Sequence, residues 1–258
     1  MSLHIDLSGR RALITGAGQG VGRGLALAFA SAGAEILVND LRPDLADAVV
    51  ADVRDAGWAA QPAPFDVTDY DAVTAALAAT DSVDILVNNA GNAGAHGFGT
   101  RGRFAESAPQ DWEPYLRVNL YGVLYCTRAV LPDMIAARWG RVITIVSDAG
   151  RVGDPSSAVY AASKAGAAGF TRSVALEHGR YGITANNVAL GTMRTPATES
   201  LWAEPDSPQA SSILRNYVVR RPGLPQDVAP LAAMLASDHG AWITGQTIPV
   251  NGGFSFAQ

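Results

Sequence analysis

Residues 11–33 read RALITGAGQGVGRGLALAFASAG, and how this stretch is divided decides the fold. The run 11–15 (RALIT) is apolar, too short for a helix and closed by glycine, which is the pattern of a buried strand. Beyond Gly20 the apolar residues return with helical spacing. Gly16, Gly20 and Gly22 fall in the turn and the helix entry, with Gln19 and Val21 between them. Backbone without side chains can approach a phosphate there, and the helix N-terminus attracts it. The spacing is TGxxxGxG and not GxGxxG. Glycine repeats arise by chance, but a strand before and a helix after give the context of a dinucleotide loop.

Outward from this unit the rhythm repeats. The run 35–40 (EILVND) predicts a second strand ending at Asp40 and Leu41, where a carboxylate can accept the hydroxyls of an adenosine ribose. A surface aspartate at a strand end is the plainer alternative. PDLADAVVADVRDAG has helical periodicity. WAAQPAPFDV predicts a strand finishing at Asp66 and Val67, an acid and an apolar residue suited to flank adenine. TDYDAVTAALAAT is a further helix, capped by Thr68, and DILVNNAG is a fourth strand ending in a hydrogen-bonding turn at Asn89, Ala90 and Gly91. Strands separated by helices in this way predict a single α/β domain over 1–258. It is a Rossmann-like, doubly wound parallel sheet of about seven strands with helices on both faces. A ligand then lies across the carboxyl ends of the strands.

The second half continues the pattern. Residues 92–107 are glycine-rich, and 109–139 are long and helical, with Asn119 a polar residue in an apolar stretch. Asparagine is disfavoured inside a helix unless it is exposed or has a job. GRVITIVS predicts the fifth strand, delivering Ser147. TANNVAL predicts the sixth, ending at Leu190, Gly191 and Thr192. Residues 192–221 place Met193, Leu201, Trp202, Ile213, Leu214 and Tyr217 among prolines and charges, which suits a substrate lid. A helix from Gln226 and a strand near 247–250 finish the sheet.

The stretch 147–164, SDAGRVGDPSSAVYAASK, sets a serine thirteen residues before a tyrosine and a lysine four residues after it. On a helix, Tyr160 and Lys164 share one face. A phenol with a pKa of roughly 10 is a poor base at neutral pH, and a neighbouring ammonium lowers that value. With the Ser147 hydroxyl beside the phenol, the three can move a proton on and off a C–O group. A Tyr and a Lys at this spacing can equally form a simple surface pair.

The chain has 258 residues, 48% of them apolar and 17% charged, with a slightly positive mean hydropathy, so it can bury one large core. A net charge of -5 gives no footprint for nucleic acid or an anionic membrane as main partner. The single cysteine, Cys126, lies in an apolar run and reads as a buried spectator compatible with a reducing compartment. The N-terminal residues lack the apolar core of a signal peptide and no run approaches a membrane span, so cytoplasm is the expected location. His4, His96, His178 and His239 share no ligand spacing, so no metal is expected. No GxSxG elbow is present.

With TGAGQGVG, Asp66, NNAG, Asn119, Ser147, YAASK and the closing ITGQTIPVNGG in this order, the chain resembles the short-chain dehydrogenase/reductase family over nearly its full length. The resemblance implies a catalytic tetrad of Asn119, Ser147, Tyr160 and Lys164. Tyr160 would exchange the proton and Ser147 would orient the substrate oxygen. Lys164 would also hold the nicotinamide ribose, and Asn119 a relay water. It implies a homotetramer and a small alcohol or ketone as substrate. With Asp40 in place, the expected cofactor is NAD(H). Its phosphorylated form would be repelled, unless Arg42, which can instead pair with Asp44, rescues it. Two departures stand out: the family's usual Pro-Gly after the sixth strand is Leu190-Gly191, and Asp148 follows Ser147 where a small residue is common. The latter reads as a solvated loop carboxylate or, less simply, as a group that alters substrate preference. Reduction of 3-oxoacyl thioesters is the alternative activity, with Arg138 where such enzymes keep a basic residue for a carrier protein. Arg101 and Arg103 are candidates for anion recognition. A dinucleotide-sensing protein without turnover is the third reading.

Overall fold

A computed structural model describes residues 4–92, 102–204 and 207–256. Seven parallel strands form one sheet in the order β3-β2-β1-β4-β5-β6-β7. They are β1 Arg11–Ile14, β2 Glu35–Val38, β3 Ala60–Pro62, β4 Ile85–Asn88, β5 Gly140–Ser147, β6 Ile183–Leu190 and β7 Thr247–Val250. Each of the predicted strands is present. β3 is shortened to three residues because its prolines cannot continue the ladder.

Successive residues of a strand face opposite sides of the sheet, and the two cores follow that alternation. Ile14, Ile36 and Ile143 face one core. There they pack with α1 (Gly20–Ser31), α2 (Pro43–Asp55) and α10 (Pro225–Ala236) through Phe29, Val53 and Val228. Leu13, Leu37 and Val142 face the other. It is closed by α3 (Tyr70–Ala78), α5 (Gly122–Ala137) and α7 (Ala158–His178) through Val73, Met134 and Val174. Cys126 lies within this second core, where burial pushes its thiol up to about 12, so it is inert at neutral pH.

Two helical expectations need correction. The cap of α3 is Asp69 and not Thr68: its carboxylate accepts from the N–H groups of Asp71 and Ala72. The Thr68 N–H is instead held by Asp66 Oδ1 at 2.8 Å. The long helix of 109–139 is α4 (Pro109–Leu116) and α5, joined by a π-turn over Arg117–Tyr121 that contains Asn119. The remaining short helices are α6 Ala149–Val152, α8 Glu199–Trp202 and α9 Pro208–Leu214, the last two within the predicted lid. No helix among the described residues is long and apolar enough to cross a membrane.

Candidate active site

The chain order reverses between β1 and β4, and the cleft opens at the carboxyl ends of the strands around that point. Its volume is about 1370 Å³, room for a dinucleotide and a small second molecule.

The glycine loop forms one end. Gly16 has φ 60°, and a Cβ there would lie 2.9 Å from the Ala90 Cα. A Cβ on Gly22 would lie 2.3 Å from the Gly16 carbonyl oxygen. Only glycine fits either position. Asn89 holds the turn, donating from Nδ2 to the carbonyls of Thr15 and Gly16 at 2.9 and 3.0 Å. The Thr15 hydroxyl accepts from the N–H groups of Asn89 and Ala90. Asn39, not singled out in the sequence, pins the loop from β2: its Oδ1 accepts from Gly16 N, and its Nδ2 donates to the carbonyls of Ala63 and Phe65. An asparagine closing a buried strand is the signal that could have revealed it.

Gly16, Gln19, Gly20, Val21 and Gly22 border the cleft, as do Asp40, Leu41, Asp66, Val67, Asn89, Ala90 and Gly91. The Asp40 carboxylate is tied to the loop, Oδ2 accepting from Gly18 N and Oδ1 from Arg42 N, both at 3.0 Å. Arg42 pairs with Asp44 at 3.3 Å. Bare backbone at the start of α1, with a carboxylate at the end of β2, fits the pyrophosphate and ribose of a nicotinamide dinucleotide.

Ser147, Tyr160, Lys164, Leu190, Gly191 and Thr192 border the other end. Lys164 is only 5% exposed, and burial lowers its ammonium from 10.5 to about 8. Its Nζ donates to the Ile145 carbonyl at 2.9 Å and lies 5.9 Å from the centre of the Tyr160 ring. Tyr115 packs edge-on against the same ring. The Ser147 hydroxyl accepts from Ala149 N at 3.2 Å.

Asn119 does not border the cleft. It is fully buried, donating from Nδ2 to the carbonyls of Asn92 and Tyr115 at 2.6 and 2.8 Å. Its Oδ1 has no partner and lies 3.3 Å from where a Gly91 Cβ would stand, next to Lys164 Nζ at 3.2 Å from that point. An orphaned buried acceptor beside an ammonium is a site for an ordered water.

In the lid, Met193, Leu201, Ile213 and Tyr217 border the cleft. Trp202 and Leu214, expected with them, do not, and Trp202 is only 3% exposed. The Tyr217 hydroxyl donates to Thr192 Oγ1 at 2.8 Å and accepts from Thr192 N at 2.7 Å, which fixes the backbone after β6 where a proline is absent. Thr195, set against Gly20 with its Cγ2 3.2 Å from a Cβ built there, and Phe254 also line the cleft. Sequence reading missed both. Asp148 is not a solvated loop carboxylate. It is 2% exposed and paired with Arg151 at 2.6 Å. Arg103 is exposed and outside the cleft, while Arg101 and His96 lie outside the described residues. No metal-binding cluster occurs among the described residues.

Residues 16–255 match a family model described as enoyl-(acyl carrier protein) reductase. A 3-oxoacyl-[acyl-carrier-protein] reductase of Synechocystis is 39% identical, over 96% of this chain and 97% of the relative. Oxidoreductase UcpA of Salmonella typhimurium is 36% identical over 96% and 95%. A gluconate 5-dehydrogenase from Burkholderia cenocepacia, solved with NADP and tartrate, superposes with a TM-score of 0.89 at 36% identity, covering 99% of this chain and 98% of that one. The chain belongs to the short-chain dehydrogenase/reductase family. It is an oxidoreductase that uses a nicotinamide dinucleotide.

Proposed function

We propose that the protein interconverts a secondary alcohol and its ketone with NAD(H), and that Tyr160 is the general acid/base. The observation that carries this reading is the buried Lys164 ammonium, held by the Ile145 carbonyl beside the Tyr160 ring at the carboxyl end of β5. A cation in that position stabilises a phenolate electrostatically. A dinucleotide held in this cleft would supply or take up the hydride. Tyr160 takes the hydroxyl proton of the alcohol as the hydride leaves, or returns it to the ketone oxygen in reduction. The Ser147 hydroxyl holds that oxygen. Lys164 favours the phenolate and would hold the nicotinamide ribose, and Asn119 Oδ1 would hold a water that takes the proton onward.

NAD over NADP is supported by the Asp40 carboxylate at the end of β2 and by the neutral loop residues Ala17, Gly18 and Gln19. Arg42 is engaged by Asp44 and offers a 2′-phosphate little. The Burkholderia relative was solved with NADP, so the NAD reading rests on Asp40 and the neutral loop of this chain and not on that relative. A second reading, reduction of a 3-oxoacyl thioester, is favoured by the name of the Synechocystis relative. Arg138, exposed at the end of α5 with its guanidinium donating to the Arg180 carbonyl, is where that reading would place a carrier-protein contact, though a surface arginine at a helix end is ordinary.

A panel of secondary alcohols, sugars, steroids and 3-hydroxyacyl thioesters, followed by NADH absorbance, tests the assignment. Turnover of simple secondary alcohols is expected. Turnover confined to thioesters would establish the second reading, and none with any member would leave a sensor of the dinucleotide.

A further inference from the structure

After β7 the chain is anchored by a set of polar contacts. Asn251 donates from Nδ2 to Asp148 Oδ2 at 2.6 Å and to the Ser255 carbonyl at 2.8 Å. Arg151, paired with the other oxygen of Asp148, donates from Nη1 to Ser255 Oγ at 2.9 Å and from Nη2 to the Phe256 carbonyl at 3.1 Å. Asp148 directly follows Ser147, and its own N–H donates to the Leu190 carbonyl at 3.0 Å. The tail, the serine loop and the end of β6 therefore meet at one buried ion pair. Ordering residues 251–256 loses conformational entropy at each one, and these contacts hold the segment in place against that loss.

What it holds is Phe254. The ring borders the cleft, lies 5.2 Å from the ring of Tyr217 and remains 38% exposed. It is therefore held at the mouth and not sunk into a core. Arg151 neutralises the charge beside Ser147, so this wall offers a substrate two aromatic faces and no net charge. Offset and edge-on aromatic contacts favour a flat apolar group there.

We propose that Asn251–Phe256, pinned by Asp148 and Arg151, forms one wall of the substrate site, with Phe254 selecting substrates that carry an aryl or similarly flat apolar group. Asp148 is a positioning residue, acting through the tail. The inference rests on the alcohol/ketone reading above and deepens it.

The test compares the native protein with Phe254→Ala and Asp148→Asn on 1-phenylethanol and 2-butanol. The kcat/KM ratio of the aryl to the alkyl alcohol should fall by about tenfold or more in Phe254→Ala, mainly through KM. Asp148→Asn should move it the same way and speed amide exchange across residues 251–256. A readout free of turnover is saturation-transfer NMR on acetophenone with the oxidised dinucleotide, whose ring signal should weaken in Phe254→Ala. An unchanged ratio and ring signal in Phe254→Ala would overturn the wall. A normal ratio and normal exchange in Asp148→Asn would overturn the pinning. If the native protein oxidises neither alcohol yet acetophenone contact depends on Phe254, the wall stands and the alcohol reading fails. Should Asp148→Asn not fold, Phe254→Ala, which removes a partly exposed ring, still decides.

Discussion

At Lys164 the energetics of the fold and the chemistry of the site pull in opposite directions. Burial lowers its ammonium to about 8, whereas the unfolded chain keeps the proton to about 10.5. Between those values the unfolded state binds more protons, so the native protein gains stability as pH rises through that window. Below it the buried cation costs about 3 kcal/mol, offset in part by the bond to the Ile145 carbonyl. The cofactor-free Lys164→Met variant should therefore be no less stable than the native protein at pH 7. Its relative stability should decline between pH 8 and 10.5 in denaturant titrations, and a flat difference would contradict the burial argument. Tyr160→Phe deletes the proton donor and little else. It should lower kcat by a factor of about a thousand or more while NADH still binds, as judged by fluorescence, and substantial residual turnover would remove Tyr160 from its role. Asp40→Ala should narrow a preference for NAD of about a hundredfold in kcat/KM. Equal use of NADH and NADPH by the native protein would mean that Asp40 serves the glycine loop alone.

At the scale of the elements, the turn from β1 into α1 is the least tolerant of added volume. A Cβ on Gly22 meets the Gly16 carbonyl and the Asn89 amide, neither of which can move without breaking the bonds that shape the loop. Gly22→Ala should destabilise the fold by about 1–3 kcal/mol and weaken the dinucleotide at least in proportion. Calorimetric titration showing native affinity would mean that the loop can widen freely. The π-turn at Arg117–Tyr121 is the element that sequence periodicity could not show. Its apolar spacing continues from α4 into α5 almost without a break, and the extra residue per turn is visible only in the backbone.

At the scale of the molecule, α7 is half covered. Ser163, Lys164, Ala167, Thr171 and Val174 face the sheet, while Ala158, Ala162, Ala165 and Gly166 face outward, followed by Arg172, Ser173, Glu177 and Leu176, the last 88% exposed. An outer face that is small and uncharged over its first turns and carries an exposed leucine is expected to be covered. Light scattering at working concentration should give a homo-oligomer, a tetramer by family resemblance. A monomer would refute it, and Leu176→Glu, which places a charge on that face, should shift the population toward smaller species.

What the sequence determined by itself is whatever depends on residues close together in the chain. The glycine turn, the alternation of strand and helix and the Tyr160–Lys164 spacing are local, and they sufficed for a parallel sheet with a ligand site at the carboxyl ends of its strands, whereas the strand order and its switch point came from the fold. Asp66 and Thr68 were legible as neighbours too, though the cap went to Asp69 because a carboxylate one residue further on reaches two free N–H groups. The tertiary structure decided what depends on residues far apart. Asp148 read as solvated because Asn251, which shares its carboxylate with the nearby Arg151, is 103 positions away. Phe254 and Thr195 looked like ordinary tail and loop residues until the folded chain brought them to the cleft. Trp202, apolar and in the right segment, is buried away from the cleft. Periodicity and spacing report the face a residue takes on its own element, and only the packing of elements selects what that face meets.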